Sequence, residues 1–465
     1  MLKIFTLFAL LTSTLISING QHTKVAILSG KITNTEETSI KLSHTELSFE
    51  KKINVDPEGN FRDTIKFLEN ASYYFGLGKT TTQVFIKDGD NLTISADAQD
   101  FHKTIKYSGI GSEVNNFNLE YAKLRLKLVG DAKEYFLVPL KDFNEKNIKN
   151  KAAYLALLNE SQLTEKEKAL FTKIIENDYL LIHNNYDKFN HYHLKEHPVL
   201  PANYYDPILA MYLDDQELFL YDKNYRILVI EKYRQTLRAA MKADTTLTNI
   251  EFVKETTKDM KSIYNRESII SMLFNNVNNK NANYQSDYEK IMVLLQSKEL
   301  KGRLNARLQT ALNTTSGTKS IGFNYERMDG SKVALSDLKG KYVYIDIWAT
   351  WCGPCIKQMP ALKEIIKAYE GDDIAFVVIS VDDKKDQAKW KKMVPVYNVG
   401  GTHLISDNAL NSEFMKAYSV GLIPRSILLD REGKVINNNA PKPSDENLKT
   451  VLNQLINSAK TIKGE

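Results

Sequence analysis

Between Val25 and Ser108 the apolar positions come in short β-branched and aromatic runs, each closed by a turn signal. Val25-Ala26-Ile27-Leu28, Leu47-Ser48-Phe49, the alternating stretch from Phe61 to Phe67, Val84-Phe85-Ile86 and Leu92-Thr93-Ile94-Ser95 predict strands. Asp56-Pro57-Glu58-Gly59-Asn60 and Asp88-Gly89-Asp90 mark turns between them. Strands at this spacing predict an all-β, sandwich-like domain over residues 21–112.

From Glu113 to Leu312 the period becomes helical. Leu119, Ala122, Leu126 and Val129 share one helical face. Thr164-Glu165-Lys166-Glu167 has the form of a capping box opening a helix through Ile182, and residues 208–221 and 225–241 have the same texture. An all-α domain is expected over residues 113–312, its many tyrosines serving as half-buried packing residues. Residues 313–319, beginning Asn313-Thr314-Thr315-Ser316-Gly317, are a short polar linker.

Beyond the linker, strands and helices alternate. Strands are predicted at 332–335, 342–348, 374–381, 426–430 and 434–436, and helices at 352–369, 383–393, 408–418 and 445–459. That order predicts an α/β domain over 320–465 with helices on both faces of a mixed sheet. The whole is a multi-domain chain: all-β, then all-α, then α/β.

The first twenty residues stand apart. Met1-Leu2-Lys3 is followed by an apolar stretch from Ile4 to Ile18 and then Asn19-Gly20, the layout of a secretory signal peptide over residues 1–20. Export to the periplasm or cell envelope is the expectation. No later apolar run reaches the roughly 18–20 residues a membrane helix needs, so membrane association is expected only if the leader is uncleaved. Charge adds little: 62 basic against 57 acidic residues leave a net of +5, which predicts no nucleic-acid partner.

Cysteine usage changes the picture most. The chain has two cysteines, Cys352 and Cys355, three apart behind the strand that ends at Trp348. A bridge closing so short a loop removes little chain entropy, so it adds little stability and points to dithiol chemistry instead. A helix beginning at Cys352 turns unsatisfied N–H groups and the positive end of its dipole toward the first sulfur, favouring thiolate. Cys352 is therefore the expected nucleophile, and Cys355, one turn deeper, the residue that resolves the mixed disulfide. Pro354 stiffens the first turn where its missing N–H costs nothing, and Gly353 leaves the approach open.

Trp351-Cys352-Gly353-Pro354-Cys355, with Pro360 five residues later and Ile423-Pro424 just before a strand, resembles the thioredoxin fold and, within it, the exported thiol–disulfide oxidoreductases of the TlpA/ResA type. Lys31-Ile32-Thr33 and Gly59-Asn60-Phe61 resemble an N-terminal β-domain that precedes thioredoxin modules in Bacteroidetes proteins. The resemblance implies a kink at Pro360 and a cis peptide bond at Pro424. The same geometry places Ile423, Pro424, Trp351, Gly353 and Pro354 along the substrate. It also implies that Asp346 lies beneath the sulfurs with a raised pKa and takes the proton from Cys355; the alternative is a buried acid with only a structural role. Where TlpA/ResA-type proteins often carry a glutamate, this chain has Gln358, which cannot titrate.

The leading expectation is an exported reductase of protein disulfides, using the Cys352–Cys355 pair and no other cofactor. Its partners would be exported disulfide-containing proteins and a membrane thiol electron donor. The alternatives are a thiol peroxidase of the AhpC/TSA type, for which Thr350 stands at the wrong spacing from Cys352, and a front binding module for an exported partner carrying an accessory redox domain. His183, His191, His193 and His197 cluster within fifteen residues, but without cysteines or a dense carboxylate set they are expected to be surface histidines, and no metal site is expected. The lysines flanking Trp390 are expected to form a solvated face around one packed indole.

Overall fold

The strand-and-turn texture of the front region builds two four-stranded sheets. In the computed structural model, which describes residues 23–278 and 281–463, the strands are β1 (Lys24–Thr33), β2 (Ser39–His44), β3 (Phe49–Asn54), β4 (Asn60–Phe67), β5 (Ala71–Leu77), β6 (Thr80–Ile86), β7 (Asn91–Asp97) and β8 (Lys106–Ile110). The expected leader, residues 1–20, lies outside the described residues. One sheet has the order β4-β1-β7-β8 and the other β3-β2-β5-β6. Phe61 of the first meets Phe75 of the second at 6.0 Å between ring centroids, and Phe67 meets Tyr73 at 5.9 Å, so the sheets pack face to face as a sandwich. At the β4 turn Gly59 has φ +82°, and a Cβ there would stand 2.0 Å from the Ile32 carbonyl oxygen; only glycine fits.

The main helices that follow are Ser112–Val129, Leu140–Glu160, Glu165–Leu194 and Lys223–Ala243. The capping box opens the third: Thr164 Oγ1 accepts from Glu167 N while Glu167 Oε2 accepts from Thr164 N at 3.0 Å. That helix runs on past Ile182 to Leu194. In Ser112–Val129 the buried face is Val114, Phe117 and Tyr121, not the expected Leu119–Ala122–Leu126–Val129 stripe; Leu126 is exposed. Aromatic bulk on a neighbouring face outweighs the aliphatic stripe, because Phe117 packs edge-on to Phe171 at 4.7 Å. Sheet and helices share this core. Phe85 of β6 packs against Phe171 and Tyr221, and the Asn115 amide accepts from Phe85 N at 2.8 Å and donates to Phe85 O at 2.9 Å.

Chain contacts divide the protein into two units, one comprising the residues up to Thr248 with Thr256–Ile269, the other Asn249–Glu255 with the chain from Ile270 onward. The second unit holds helix Lys298–Asn313 and a seven-stranded sheet. Its strands are β9 (Asn324–Glu326), β10 (Lys332–Ala334), β11 (Tyr342–Trp348), β12 (Ile374–Ser380), β13 (Thr402–Ile405), β14 (Arg425–Leu429) and β15 (Val435–Asn437), in the order β10-β9-β13-β12-β11-β14-β15. β11, β12 and β13 run parallel, while β14 lies antiparallel to β11 and β15 to β14. From Val343 to Trp348 every residue of β11 is buried, which requires cover on both sheet faces. Helices Gly353–Ile356, Met359–Ala368, Gln387–Tyr397 and Asn447–Lys463 belong to this unit. Trp390 is fully buried among exposed lysines, as its flanking charges predict. No helix among the described residues is long and apolar enough to cross a membrane.

Candidate active site

At the carboxyl end of β11 the chain turns through Ala349-Thr350-Trp351 into Cys352, which caps a one-turn helix, Gly353–Ile356, with Pro354 in its first turn. Such a start leaves backbone N–H groups without helical acceptors. One of them, Cys355 N, points at Cys352 Sγ at 3.2 Å. Cys352 and Cys355 form a disulfide with 5.3 Å between their Cα atoms. The two sulfurs are not equivalent: Cys352 is 5% exposed and Cys355 not at all. A partner's sulfur can therefore meet Cys352 first, and an N–H dipole is already aimed at the thiolate charge that sits there in the reduced pair.

The active-site helix is interrupted at Lys357-Gln358 and resumes as Met359–Ala368, with Pro360 in the first turn of the second segment. The proline lacks the N–H that a continuous helix would use, and the break falls where the sequence places it. Gln358 Oε1 accepts from Ser444 N at 3.0 Å, so this side chain ties the break to the segment before the last helix.

Asp346 is 1% exposed and sits in β11 opposite Ser426 of β14. Ser426 Oγ donates to its Oδ1 at 3.3 Å, while Oδ2 has no hydrogen-bond partner. Burial pushes the carboxyl up from 3.8 to about 7, with the Ser426 hydrogen bond opposing weakly. A carboxyl poised there can hold or release a proton near neutrality.

The Ile423–Pro424 bond is cis, and Pro424 leads directly into β14. The backbone N–H and carbonyl of Ile423 have no protein partner among the described residues. Two exposed apolar side chains adjoin the site in sequence: Leu422, beside Ile423, is 88% exposed, and Trp351, beside Cys352, is 55% exposed.

One residue escaped the sequence reading. Asp382, just beyond β12, is almost fully buried and accepts from Thr350 N at 2.9 Å, Thr350 Oγ1 at 2.7 Å and Ser380 Oγ at 2.6 Å. It straps the loop that delivers Cys352. The signal was available, since β11 and β12 are parallel neighbours and functional groups gather at the carboxyl ends of such strands. The strap also commits the Thr350 hydroxyl to Asp382, so it is not free to serve Cys352 as a peroxidatic threonine would. Asp382→Ala orphans three buried donors and should lower the unfolding free energy by about 3 kcal/mol or more. Trp348, Trp351 and Trp390 are the chain's three tryptophans, so guanidinium denaturation followed by indole fluorescence reads this unit selectively. An unchanged midpoint would show that the strap is not structural.

The histidines divide. His191, His193 and His197 are exposed at the end of helix Glu165–Leu194, as expected, and His197 Nδ1 pairs with Asp187 at 2.8 Å. His183 is buried instead, its ring stacked on Tyr204 at 4.0 Å and its Nε2 against the Tyr204 carbonyl at 2.9 Å. Its position one helical turn and more inside the packed face explains the difference. No group of three or more metal-ligating side chains occurs among the described residues.

Comparison with known proteins agrees with this geometry. The Redoxin family matches residues 315–455. The thiol-disulfide oxidoreductase ResA of Bacillus cereus is 30% identical over 144 residues, covering 30% of this chain and 78% of that protein. The thioredoxin-like protein YneN of Bacillus subtilis is 30% identical over 120 residues, 26% of this chain and 68% of its own. Among solved structures, a candidate thiol-disulfide oxidoreductase of Bacteroides vulgatus is 45% identical over 30% of this chain and 91% of its own, with a TM-score of 0.28. The thioredoxin-like C-terminal fold and the thiol–disulfide oxidoreductase activity expected from the cysteine motif both stand.

Proposed function

Because the chain belongs, through residues 315–455, to the family of the thiol-disulfide oxidoreductase ResA, we propose that it is an exported reductase of protein disulfides working at Cys352-Gly353-Pro354-Cys355. The observation that carries this reading is the asymmetry of the pair: Cys352 reachable and capped by an N–H, Cys355 fully buried behind it.

In the reduced protein the Cys352 thiolate attacks one sulfur of a substrate disulfide. The substrate S–S bond breaks, and the departing sulfur leaves as a thiolate that takes up a proton from water. Cys355 then passes its proton to Asp346 and attacks Cys352 Sγ. The mixed disulfide breaks, the second substrate sulfur leaves, and two electrons have moved from the protein to the substrate. A membrane-held dithiol donor returns them by the same exchange in reverse. Ile423 offers its backbone to an extended substrate chain in the manner of strand addition, with Pro424 and Gly353 leaving the approach clear and Trp351 supplying apolar contact. The apolar leader of residues 1–20 supports export.

The direction of electron flow is tested by the reduction potential of the pair, measured by equilibrating the full chain against glutathione or dithiothreitol buffers. A value near about −270 mV, as for thioredoxin, is expected; a value near about −120 mV, as for DsbA, would make the protein an oxidant. Hydrogen peroxide turnover at a rate matching disulfide reduction would overturn the reductase reading in favour of a thiol peroxidase.

A further inference from the structure

The cis-Pro424 loop leads straight into Arg425, and Arg425 lines a cavity of about 420 Å³ together with Arg307, Thr310, Tyr418, Ser419 and Asn438. Its remaining lining residues are likewise uncharged, so the cavity holds two guanidinium groups and no carboxylate. Arg425 spends its Nε and one terminal nitrogen on a single neutral acceptor, the Asn438 carbonyl, at 2.9 and 2.6 Å. Arg307 donates to the Asn275 amide oxygen at 2.9 Å. Neither guanidinium has an anionic partner among the described residues. Around them the walls are already organised: Thr310 Oγ1 and Ser419 Oγ lie 2.7 Å apart, and Asn438 Nδ2 donates to Thr314 Oγ1 at 2.7 Å.

Each guanidinium carries five donors in a planar fork, and neutral acceptors use only part of that capacity. Two cations facing one cavity repel each other without any compensating charge, and partial desolvation pushes both below their ordinary pKa, Arg425 being the less exposed of the two. A carboxylate between them removes both costs and can accept in the bidentate geometry that guanidinium favours. The cavity is large enough for one side chain and its flanking backbone. Its position decides what kind of carboxylate. Arg425 is two residues from Ile423, whose unpaired backbone groups would hold an extended substrate chain, so a carboxylate on that chain would be the anion delivered toward Arg425.

We propose that this cavity is a subsite for an acidic side chain of the disulfide substrate, making the enzyme selective for disulfides with Asp or Glu a few residues from the cystine. The subsite rests on the reductase reading above, and it adds the class of substrate.

Two synthetic peptides, each closed by one disulfide and differing only in Glu against Gln flanking the cystine, test it with the pre-reduced full chain. The Glu peptide should be reduced with a kcat/KM about tenfold higher, a gap that narrows at high salt because Arg307 is solvent-accessible. In Arg307→Gln the ratio between the peptides should fall to about one. Arg307→Lys should restore part of it, since charge survives and the fork does not. Arg425→Gln also removes the Asn438 contact, so its ratio is read only alongside an unchanged fluorescence melt.

Equal rates for both peptides in the wild type overturn the subsite and leave the reductase intact. Reduction of neither peptide overturns the reductase reading itself. A Glu preference that survives Arg307→Gln and Arg425→Gln overturns the assignment to this cavity. Free glutarate slowing both peptides alike, with no preference between them, would assign the cavity to a small dicarboxylate instead.

Discussion

Cys352→Ser should end disulfide reduction altogether, whereas Cys355→Ser should still attack substrates once and then hold them. The difference follows from where the two sulfurs lie. Only Cys352 combines access with an N–H aimed at its sulfur, so only it presents a stabilised thiolate to a partner. A serine hydroxyl at 352 stays protonated at neutral pH and cannot attack a disulfide. With Cys355 replaced, the first step survives but the intramolecular second step is lost. Well-oriented intramolecular reactions have effective molarities of about 10⁵ M or more, so resolution by an external thiol at millimolar concentration is slower by many orders of magnitude. Mixed disulfides with Cys352 should therefore accumulate on non-reducing gels from cells expressing Cys355→Ser and be nearly absent with Cys352→Ser. Equal trapping by both variants would remove the assigned roles. The trapped partners also bear on the acidic subsite, because their disulfides should be flanked by Asp or Glu.

Legibility from sequence tracked how local the determining physics is. The Cys352-Gly353-Pro354-Cys355 turn, the break at Pro360 and the Thr164–Glu167 cap are settled by residues within one helical turn of each other, and all were readable. Long buried strands such as β11 and β12 were readable too, since a run of β-branched and aromatic residues has few other uses. β9 and β13 were not. They are three and four residues long and carry Asn324, Thr402 and His403; β9 is a short hairpin arm to β10, and β13 exists because the sequence-distant β12 pairs with it. β2 shows only Ile40 and Leu42 in alternation, too brief to stand out from its turns. The buried face of Ser112–Val129 was misplaced because the aromatic partner that selects it, Phe171, comes from another helix. Asp382 was missed for a related reason: its place at the carboxyl end of a buried strand was a signal, but its partner, Thr350, lies thirty-two residues away and is joined to it only by the pairing of β11 with β12. Asp346 was placed correctly in its strand, and what the sequence left open was whether it is a working acid or a structural one.

Asp346→Asn separates those two roles, because they predict opposite signs. In the folded protein the carboxyl titrates at about 7, against 3.8 when exposed, because burial disfavours its charged form. Between those values the folded state binds the extra proton, so raising the pH costs stability. The penalty is absent below about pH 4, grows through pH 7 and then saturates, and its full size is about 4 kcal/mol by linkage. An amide at 346 never ionises and never incurs that cost. It does leave a buried N–H₂ without an acceptor, where Oδ2 already lacks a partner, a loss of about 1–2 kcal/mol at every pH. Asp346→Asn should therefore be slightly less stable than wild type at pH 4 and more stable by about 2–3 kcal/mol at pH 8, read by tryptophan fluorescence in guanidinium. Disulfide reduction should move the other way. Without a proton acceptor Cys355 must shed its proton to water, so turnover should fall by about 10²-fold near neutrality and recover as the pH approaches the thiol pKa. A variant that is more stable yet slower identifies a carboxyl kept at a cost to the fold for the sake of proton transfer. A variant that loses stability at pH 8 and keeps its rate would mark Asp346 as a structural acid, and proton removal from Cys355 would then pass to solvent.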